Sequence, residues 1–550
     1  MTFERGVTVM RNHRIVFGVL ALLAASVCSA PTQATDRGKG VNFPVSCSAT
    51  AQQAFNEALA ALHSFWYAQA AKEFRAIAER EPDCAMAHWG YAMSLWTQLW
   101  APPRQDALDA GLASLRRADA VASKSQREAD FIAAAMAFFG DNDKLDHRTR
   151  LVAYASAMDK VGKSYPDDRE ASLFYALSLL ATADPLDASY ARQRQAGEVL
   201  ERIFKELPDH PAAAHYIIHA YDCGPLAERA LEAAKRYAKS ASVVPHAIHM
   251  PSHTYVLLGR WRDNIDSNLV GEKAELERGI PEDRLHDIDY LVYGYLQVGE
   301  DAKAKQFRDL GLSIERELVA AKRDVGLRAR PFAIAAIEAR YALERSSWTE
   351  AAALQPRPNR WAFIEAVPHF ARAVGAARSG NPAAAKADIG RLTELQADLA
   401  KSNITYWARV VDIQLKIASA WMADAEGRSA DALSLMQAAA DLEKSIDTHD
   451  TLSPGPVGAT AHESLGELLL KGGRAREALA SFEESLKLAK DRARSYFGAA
   501  KAAGLAGDAD RQKAYVAKLA EVCRVSTATT SPPDGTGAQL SMLPCAWLTR

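Results

Sequence analysis

The sequence lacks several features that would have indicated a function. There is no long apolar run after residue 27, so we expect no membrane-spanning helix once the N-terminal segment is removed. There is no Walker A loop, no GxSxG elbow and no Rossmann fingerprint, so the common nucleotide and serine-hydrolase motifs indicate no reaction. Alternating Val, Ile and Thr runs bounded by turn residues are also missing, so we expect little or no β-sheet.

The sequence also has no marked excess of positive or negative charge. The net charge is -2, and no basic stripe interleaved with aromatic residues occurs. A nucleic-acid-binding surface needs clustered Lys and Arg, and an anionic membrane surface attracts the same residues. We therefore expect no nucleic-acid partner.

The N-terminus has the pattern of a targeting segment. Basic residues precede an apolar run over residues 15–27. A membrane-spanning helix needs about 20 apolar residues, so this run fits the core of a signal peptide better than an anchor. We predict a signal peptide over residues 1–34 and an exported, periplasmic protein. An uncleaved anchor and lipid attachment through Cys28 are the alternatives, although Val27 occupies a position where a lipidation motif usually has Gly, Ala or Ser.

Cysteines are few. The chain has six, one of which lies in the predicted signal peptide. Exported proteins meet an oxidising compartment, so pairing is expected. Closeness in the sequence suggests one pair between Cys47 and Cys84 and another between Cys523 and Cys545. Cys223 is then the odd cysteine.

The rest of the chain is rich in Ala and Leu with a helical period. Residues 462–490 place Gly466 and Phe482 at the spacing of a helical-hairpin repeat, in which a small residue allows close approach and an aromatic fills the gap. Residues 51–82 have a second match that includes Phe74. We predict an all-α fold, an α-solenoid of TPR-like helical hairpins.

The pattern divides the chain into five parts. These are a signal peptide (1–34), an N-terminal extension (35–50), a TPR-like α-solenoid with a histidine cluster (51–322), a C-terminal TPR-like array (323–522) and a tail (523–550).

Histidines cluster in one window, residues 209–289. The chain has 14 histidines, and half of them lie there. They are His210, His215, His219, His246, His249, His253 and His286. His215 and His219 are four residues apart, so a helix places both on one face. Pro251 is expected to begin a helix, with His246 and His249 in the turn before it.

A metal site is one interpretation of this window. Neutral imidazole is a common ligand of zinc and also suits copper and nickel. The candidate ligands are His215, His219, His246, His249 and His253. Asp209, Asp222, Asp287 and Asp289 are candidates for the carboxylates that orient such ligands. Hydrogen-bonded packing between helices, which the sequence favours, and a small-ligand pocket are the alternatives.

One missing residue argues against a zincin-type protease. His215 and His219 have the histidine spacing of that helix, but Tyr216 follows the first histidine where the mechanism needs Glu. Without this general base the proton acceptor is lacking.

Four runs resemble a group of exported bacterial tetratricopeptide (TPR) repeat proteins with an HAxHMPSH-type histidine motif. The runs are FWYAQAAKEFRAIAEREPDCAMAHWGYAMSL, HYIIHAYD, PHAIHMPSHTYVLLGRW and HDIDYLVYGYLQVG, within residues 41–320. The matching positions are Cys84, Trp89, Gly90, His215, His219, His246, His249, Pro251, His253, Gly259, Trp261, His286, Asp289 and Tyr290. Gly294 replaces the usual Ala. The resemblance implies a TPR fold with a binding or scaffolding role and no agreed reaction.

The leading functional prediction is a periplasmic scaffold that binds a protein or peptide in its concave groove. The candidate groove residues are Trp89, Tyr255, Trp261, His286, Asp289 and Tyr290. The alternative is a zinc-, copper- or nickel-binding protein, or a metal-dependent enzyme, that uses the histidine cluster.

Overall fold

The computed structural model describes residues 40–99, 102–240, 244–279, 281–323, 328–447, 449, 452–524 and 544–547. The first half contains α1 (Ala49–His63), α2 (Tyr67–Arg80), α3 (Ala85–Ser94), α4 (Gln105–Ala120), α5 (Gln126–Phe139), α6 (His147–Ser164), α7 (Arg169–Ala181), α8 (Ala191–Glu206), α9 (Pro211–Ala220), a 3-10 helix (Ala227–Ala230), α10 (Leu231–Ser240), α11 (Pro245–His249), α12 (Pro251–Leu257) and α13 (Trp261–Arg278). The second half contains α14 (Arg284–Gln297), α15 (Asp301–Ala320), α16 (Ala329–Glu344), α17 (Trp348–Ala352), α18 (Ala362–Arg378), α19 (Pro382–Lys401), α20 (Thr405–Ala425), α21 (Ser429–Lys444), α22 (Ala461–Lys471), α23 (Ala475–Leu488), α24 (Ala493–Leu505), α25 (Ala509–Cys523) and α26 (Pro544–Trp547).

Consecutive helices pack against each other as hairpins, and the described residues contain no β-strand. Two helices begin with a capping box, in which Ser125 and Thr460 accept from the backbone N–H of Glu128 and Glu463. Each glutamate side chain in turn accepts from the backbone N–H of its cap, which satisfies two N–H groups at the helix start. The all-α solenoid predicted from the sequence is confirmed.

The small-and-aromatic pairs expected from the repeat pattern pack as predicted. A Cβ added at Gly466 would lie 2.7 Å from the ring of Phe482, and one added at Gly90 would lie 2.4 Å from Phe74. Both distances are far below van der Waals contact, so only glycine fits there. These contacts set how closely the two helices of a hairpin approach.

Buried arginines connect the C-terminal array to α14, which carries part of the histidine window. Arg492 is fully buried and donates to the hydroxyl of Tyr293 on α14 (2.6 Å), to Glu344 on α16 (3.0 Å) and to Glu463 on α22 (2.8 Å). Arg340 pairs with Asp289 on α14 at 3.1 Å. The position of α14 therefore depends on residues far along the chain.

Both predicted disulfides are present. Cys47 pairs with Cys84, and Cys523 pairs with Cys545 of α26, while Cys223 is free and buried. The predicted signal peptide and Cys28 lie outside the described residues. The described residues form one compact unit. The boundaries between the predicted parts stay predictions.

One local detail differs from the sequence interpretation. His246 and His249 lie in a short helix, α11, and not in a turn before Pro251, although Pro251 does begin α12 as expected. The segment before α1 places Phe43 in the core against Trp89 and Phe131, with ring centres 5.6 and 5.0 Å apart. No described helix has the length and hydropathy to span a bilayer.

Candidate metal centre

The first histidine group consists of His215, His219 and His246. His215 and His219 lie on one face of α9, and their Nε2 atoms are 3.1 Å apart. His246 comes from α11, and its ring centre lies 5.3 Å from that of His215. One nitrogen from each of the three residues can be chosen so that all lie within 4.8 Å of one another.

The second histidine group consists of His249, His253 and His286. His249 ends α11 and His253 lies in the first turn of α12, so the break at Pro251 brings their Nε2 atoms to 3.0 Å. His286 comes from α14, and its ring centre lies 4.5 Å from that of His249. These three residues also offer nitrogens within 4.8 Å of one another.

The Nε2 atom of His249 carries a lone pair and no proton when the ring is neutral. Its Nδ1 lies 2.7 Å from Oδ1 of Asn268, whose Nδ2 donates to the carbonyl of Asn264. The amide is oriented by that backbone carbonyl, so Oδ1 faces the histidine and Nδ1–H of His249 is the donor. Oδ1 of Asp287 lies 2.7 Å from the same Nδ1.

His253 is oriented in the same sense. Its Nδ1–H donates to Oδ2 of Asp222 at 2.9 Å, and Nε2 of His449 donates to the other oxygen of that carboxylate at 2.8 Å. Burial alone would raise the pKa of Asp222, but His253 and His449 outweigh it and hold that pKa well below its usual range. The carboxylate is therefore an acceptor, and Nε2 of His253 is unprotonated in the neutral ring.

When both rings are neutral, His249 and His253 therefore point two lone pairs at each other across 3.0 Å. Two acceptors at this distance repel unless a proton or a cation lies between them. A proton would require one ring to become an imidazolium, and burial lowers the pKa of His253. Two nitrogens bound to one tetrahedral zinc ion lie about 3.4 Å apart, so a small shift would seat a metal here.

The first group has a similar anchor on one ring. Nδ1–H of His215 donates to the backbone carbonyl of His63 at 2.6 Å, which leaves Nε2 of His215 as an acceptor facing His219. Burial lowers the pKa of His219 to about 3 and the pKa of His215 well below its usual value. Both rings are therefore neutral at physiological pH, and neutral imidazole is the form that binds metals.

The two groups are neighbours. The ring centres of His219 and His253 are 6.5 Å apart, and those of His246 and His249 are 6.4 Å apart. The structure therefore brings together all five residues that the sequence proposed as ligands, and it adds His286 to them.

Both groups border one cavity of about 470 Å³, which we call the histidine cavity. Its wall includes His219, His246, His249, His253 and His286. Apolar and aromatic side chains form much of the remainder, namely Phe65, Trp66, Tyr67, Leu99, Met250, Trp407 and Leu452. A volume of this size is typical of small-molecule sites. Trp407 and Leu452 belong to the C-terminal array, so both halves of the chain build the cavity.

A third cluster nearby is fully paired. The side chain of Glu170 accepts from Nε2–H of His63 at 2.9 Å and from Nε2–H of His210 at 3.1 Å. Nδ1 of His63 lies 2.9 Å from the hydroxyl of Tyr216, and Nδ1 of His210 accepts from the backbone N–H of Ala212. All four imidazole nitrogens have partners, so this cluster fits a structural role.

The residues proposed for a partner groove are mostly enclosed. Trp89, Trp261, Asp289 and Tyr290 are buried, with exposed fractions of 4% or less. Tyr255 is partly exposed under Arg260, and His286 faces the histidine cavity. The structure therefore places most of this set in packing positions.

Of the four proposed orienting carboxylates, Asp222 and Asp287 contact ligand histidines, whereas Asp209 pairs with Arg236 and Asp289 with Arg340. Sequence reasoning missed His63, Asn268 and His449. His63 and His449 reach the site from more than 150 residues away in the chain, so no local pattern could indicate them. Asn268 lies inside the window, but a single asparagine on a helix gives no signal.

No protein-family model matches the chain, and no curated protein matches it. Among solved structures, the human IFIT1 dimer with m7Gppp-AAAA is similar at 11% identity with a TM-score of 0.39, over 80% of this chain and 90% of that one. A structure of Naa15/Naa10 bound to HypK-THB is similar at 12% identity with a TM-score of 0.23, over 86% of this chain and 70% of that one. At these TM-scores the likeness carries no argument about the site.

Proposed function

We propose that this protein binds a transition metal through the two histidine groups and uses it on a small molecule held in the histidine cavity. The observation that carries the proposal is the 3.0 Å approach of Nε2 of His249 to Nε2 of His253, while Nδ1 of each ring faces an acceptor oxygen. Zinc, copper and nickel are the candidate ions, because each accepts imidazole nitrogen.

The orientation of the ligands supports this proposal. Metal-binding histidines usually donate their second N–H to a carboxylate or a carbonyl, which fixes the ring. His253 donates to Asp222, His249 donates to Asn268 beside Asp287, and His215 donates to a backbone carbonyl. Histidines that serve only in packing between helices do not require this arrangement, in which the unprotonated nitrogens of several rings converge.

The cavity supports a chemical role in preference to a purely structural one. Catalytic zinc sites typically have three protein ligands and keep a coordination position open, whereas structural sites are closed by four. Each histidine group offers three nitrogens, and His219 and His286 are partly exposed on the cavity wall. A small molecule with an apolar body would fit beside Phe65 and Trp407 with a donor atom toward the ion.

We further propose that the protein is exported, as the N-terminal pattern and the TPR resemblance predict. Two disulfides, Cys47–Cys84 and Cys523–Cys545, are in keeping with an oxidising compartment. Binding of a protein or peptide partner, the leading prediction from the sequence, stays a prediction, since the fold alone supports it.

The test is the metal content of the chain, purified from the periplasmic fraction of cells that export it and then dialysed separately against Zn²⁺, Cu²⁺ or Ni²⁺ and desalted. We expect stoichiometric metal in the wild type and a large loss in His249→Ala/His253→Ala. The control is His147→Ala/His462→Ala, which removes two histidines outside both groups and should retain the metal.

Circular dichroism and thermal unfolding establish that each variant is folded. A wild type that retains none of the three ions, or a folded His249→Ala/His253→Ala variant that retains them, contradicts the proposal. Absence of the chain from the periplasmic fraction contradicts export.

A further inference from the structure

We propose that the centre holds two metal ions, one in each histidine group, and not the single shared ion that convergence of the histidines first suggests. This inference rests on the proposed function. It concerns the number of ions and the order in which they bind.

The first argument is the number of ligands. Six imidazoles converge here, whereas a zinc site uses four ligands in total, and a catalytic one uses three from the protein. One ion would leave at least two buried or half-buried histidines without a role. Two ions with three histidines each would use all six.

The second argument is the pairing of the nitrogens. Nε2 of His215 faces Nε2 of His219 at 3.1 Å, and Nε2 of His249 faces Nε2 of His253 at 3.0 Å. Each distance is close to the spacing of two nitrogens on one ion, about 3.4 Å. The site therefore contains two separate chelating pairs, and His246 and His286 each complete one of them.

The third argument is that the pairs are anchored separately. His215 is oriented by the carbonyl of His63, while His249 and His253 are oriented by Asn268, Asp287 and Asp222. These anchors lie on different segments of the chain. One group can therefore keep its geometry when the other is altered.

Charge gives the two groups different affinities. The carboxylate of Asp222 contacts His253 of the second group, whereas the contact that orients His215 in the first group is a neutral carbonyl. An anionic partner raises the basicity of a ligand histidine and offsets the charge of the cation. We expect the second group to bind first and more tightly.

The experiment uses the full mature chain, stripped with a chelator and titrated with Zn²⁺ by calorimetry, with metal analysis after desalting. The wild type should bind two ions in two resolved steps. His219→Gln and His286→Gln are the matched variants, because each removes a partly exposed ligand from one group. Each should retain one ion, and His286→Gln should lose the tighter step.

A Cu²⁺-loaded wild type should also show magnetic coupling between neighbouring ions in its electron paramagnetic resonance spectrum, and each variant should show an isolated Cu²⁺ signal. His147→Gln serves as the control and should behave as the wild type.

The possible results separate the two proposals. One ion in the wild type that is lost in both variants means a single shared ion, which overturns this inference and leaves the proposed function intact. No ion in the wild type overturns both. If either variant unfolds, the stoichiometry and the spectrum of the wild type alone decide between one ion and two.

Discussion

The ion pair of Asp289 and Arg340 shows what a single residue of the histidine window does in this fold. Both side chains are fully buried, and the guanidinium also donates to the carbonyl of Pro456 and to the hydroxyl of Ser453. The pair therefore links α14 to α16 and to the segment before α22. Asp289 was proposed from the sequence as a groove residue, and its contacts are those of a structural one.

We expect Asp289→Asn to destabilise the protein by about 3–5 kcal/mol, because it leaves a buried arginine without its counter-charge. Urea unfolding followed by circular dichroism measures the change. Asp209→Asn is the matched control, since Asp209 pairs with Arg236 on the surface and should change stability little. Equal effects of the two variants would contradict a structural role for Asp289.

How well the site residues could be predicted depended on how far apart in the sequence the contacting residues lie. The five proposed ligands lie between His215 and His253, so their clustering was visible in the sequence. Their orientation was not, because it comes from the carbonyl of His63 and from Asp222, which His449 also contacts. Such contacts decide which nitrogen of each histidine is unprotonated, and metal binding depends on that nitrogen.

At the scale of the element, small residues set the spacing between helices. The ring of Phe482 on α23 lies between Gly466 on α22 and Gly498 on α24, and a Cβ at Gly498 would be 2.3 Å from that ring. Three successive helices therefore share one aromatic side chain. The sequence showed the pair of Gly466 and Phe482 through the repeat spacing, but Gly498 belongs to the next hairpin and escaped notice.

We expect Gly498→Ala to destabilise the protein by about 1–3 kcal/mol, because the added methyl group overpacks the interface. Gly390→Ala on α19 is the control. A Cβ at Gly390 meets nothing within 4 Å, so this variant should be neutral or slightly stabilising, as alanine favours the helix by about 1 kcal/mol. Thermal unfolding of both variants tests the difference, and a stabilised Gly498→Ala would contradict the packing argument.

Most of the helices were predictable because their apolar residues recur with a helical period. Phe43 was not, since a lone aromatic in a polar, glycine-containing stretch has no period. It became part of the core through Trp89 and Phe131, which belong to two later helices.

At the scale of the whole molecule, buried carboxylates paired with arginines connect distant helices. Glu467 on α22 pairs with Arg378 on α18 at 2.7 Å and with Arg494 on α24 at 2.6 Å. Burial alone would raise the pKa of Glu467, but the two arginines outweigh it and lower that pKa to about 2. The charge of this carboxylate is therefore part of what holds the C-terminal array together.

This shift predicts how stability depends on pH. A carboxylate whose pKa falls from 4.5 to about 2 on folding stabilises the protein fully above pH 4.5, and this contribution is lost as pH falls toward 2. Glu467→Gln should therefore lower the free energy of unfolding at pH 7 by up to about 3 kcal/mol. Its difference from the wild type should shrink between pH 4.5 and 3.

Urea unfolding at a series of pH values measures this dependence. Glu232→Gln, at an exposed pair with Lys235, is the control and should follow the wild type throughout. A difference for Glu467→Gln that stays constant with pH would contradict the assignment.

The burial of the second histidine group affects how fast a bound ion would be lost. His249 and His253 are each only 2% exposed, and Asp222 and His449 lie behind them. Both side chains line the histidine cavity, so an ion held by them would reach solvent through that cavity, past the partly exposed His286. A chelator in solution would then decide whether the ion is finally lost, while the passage through the cavity would decide how soon.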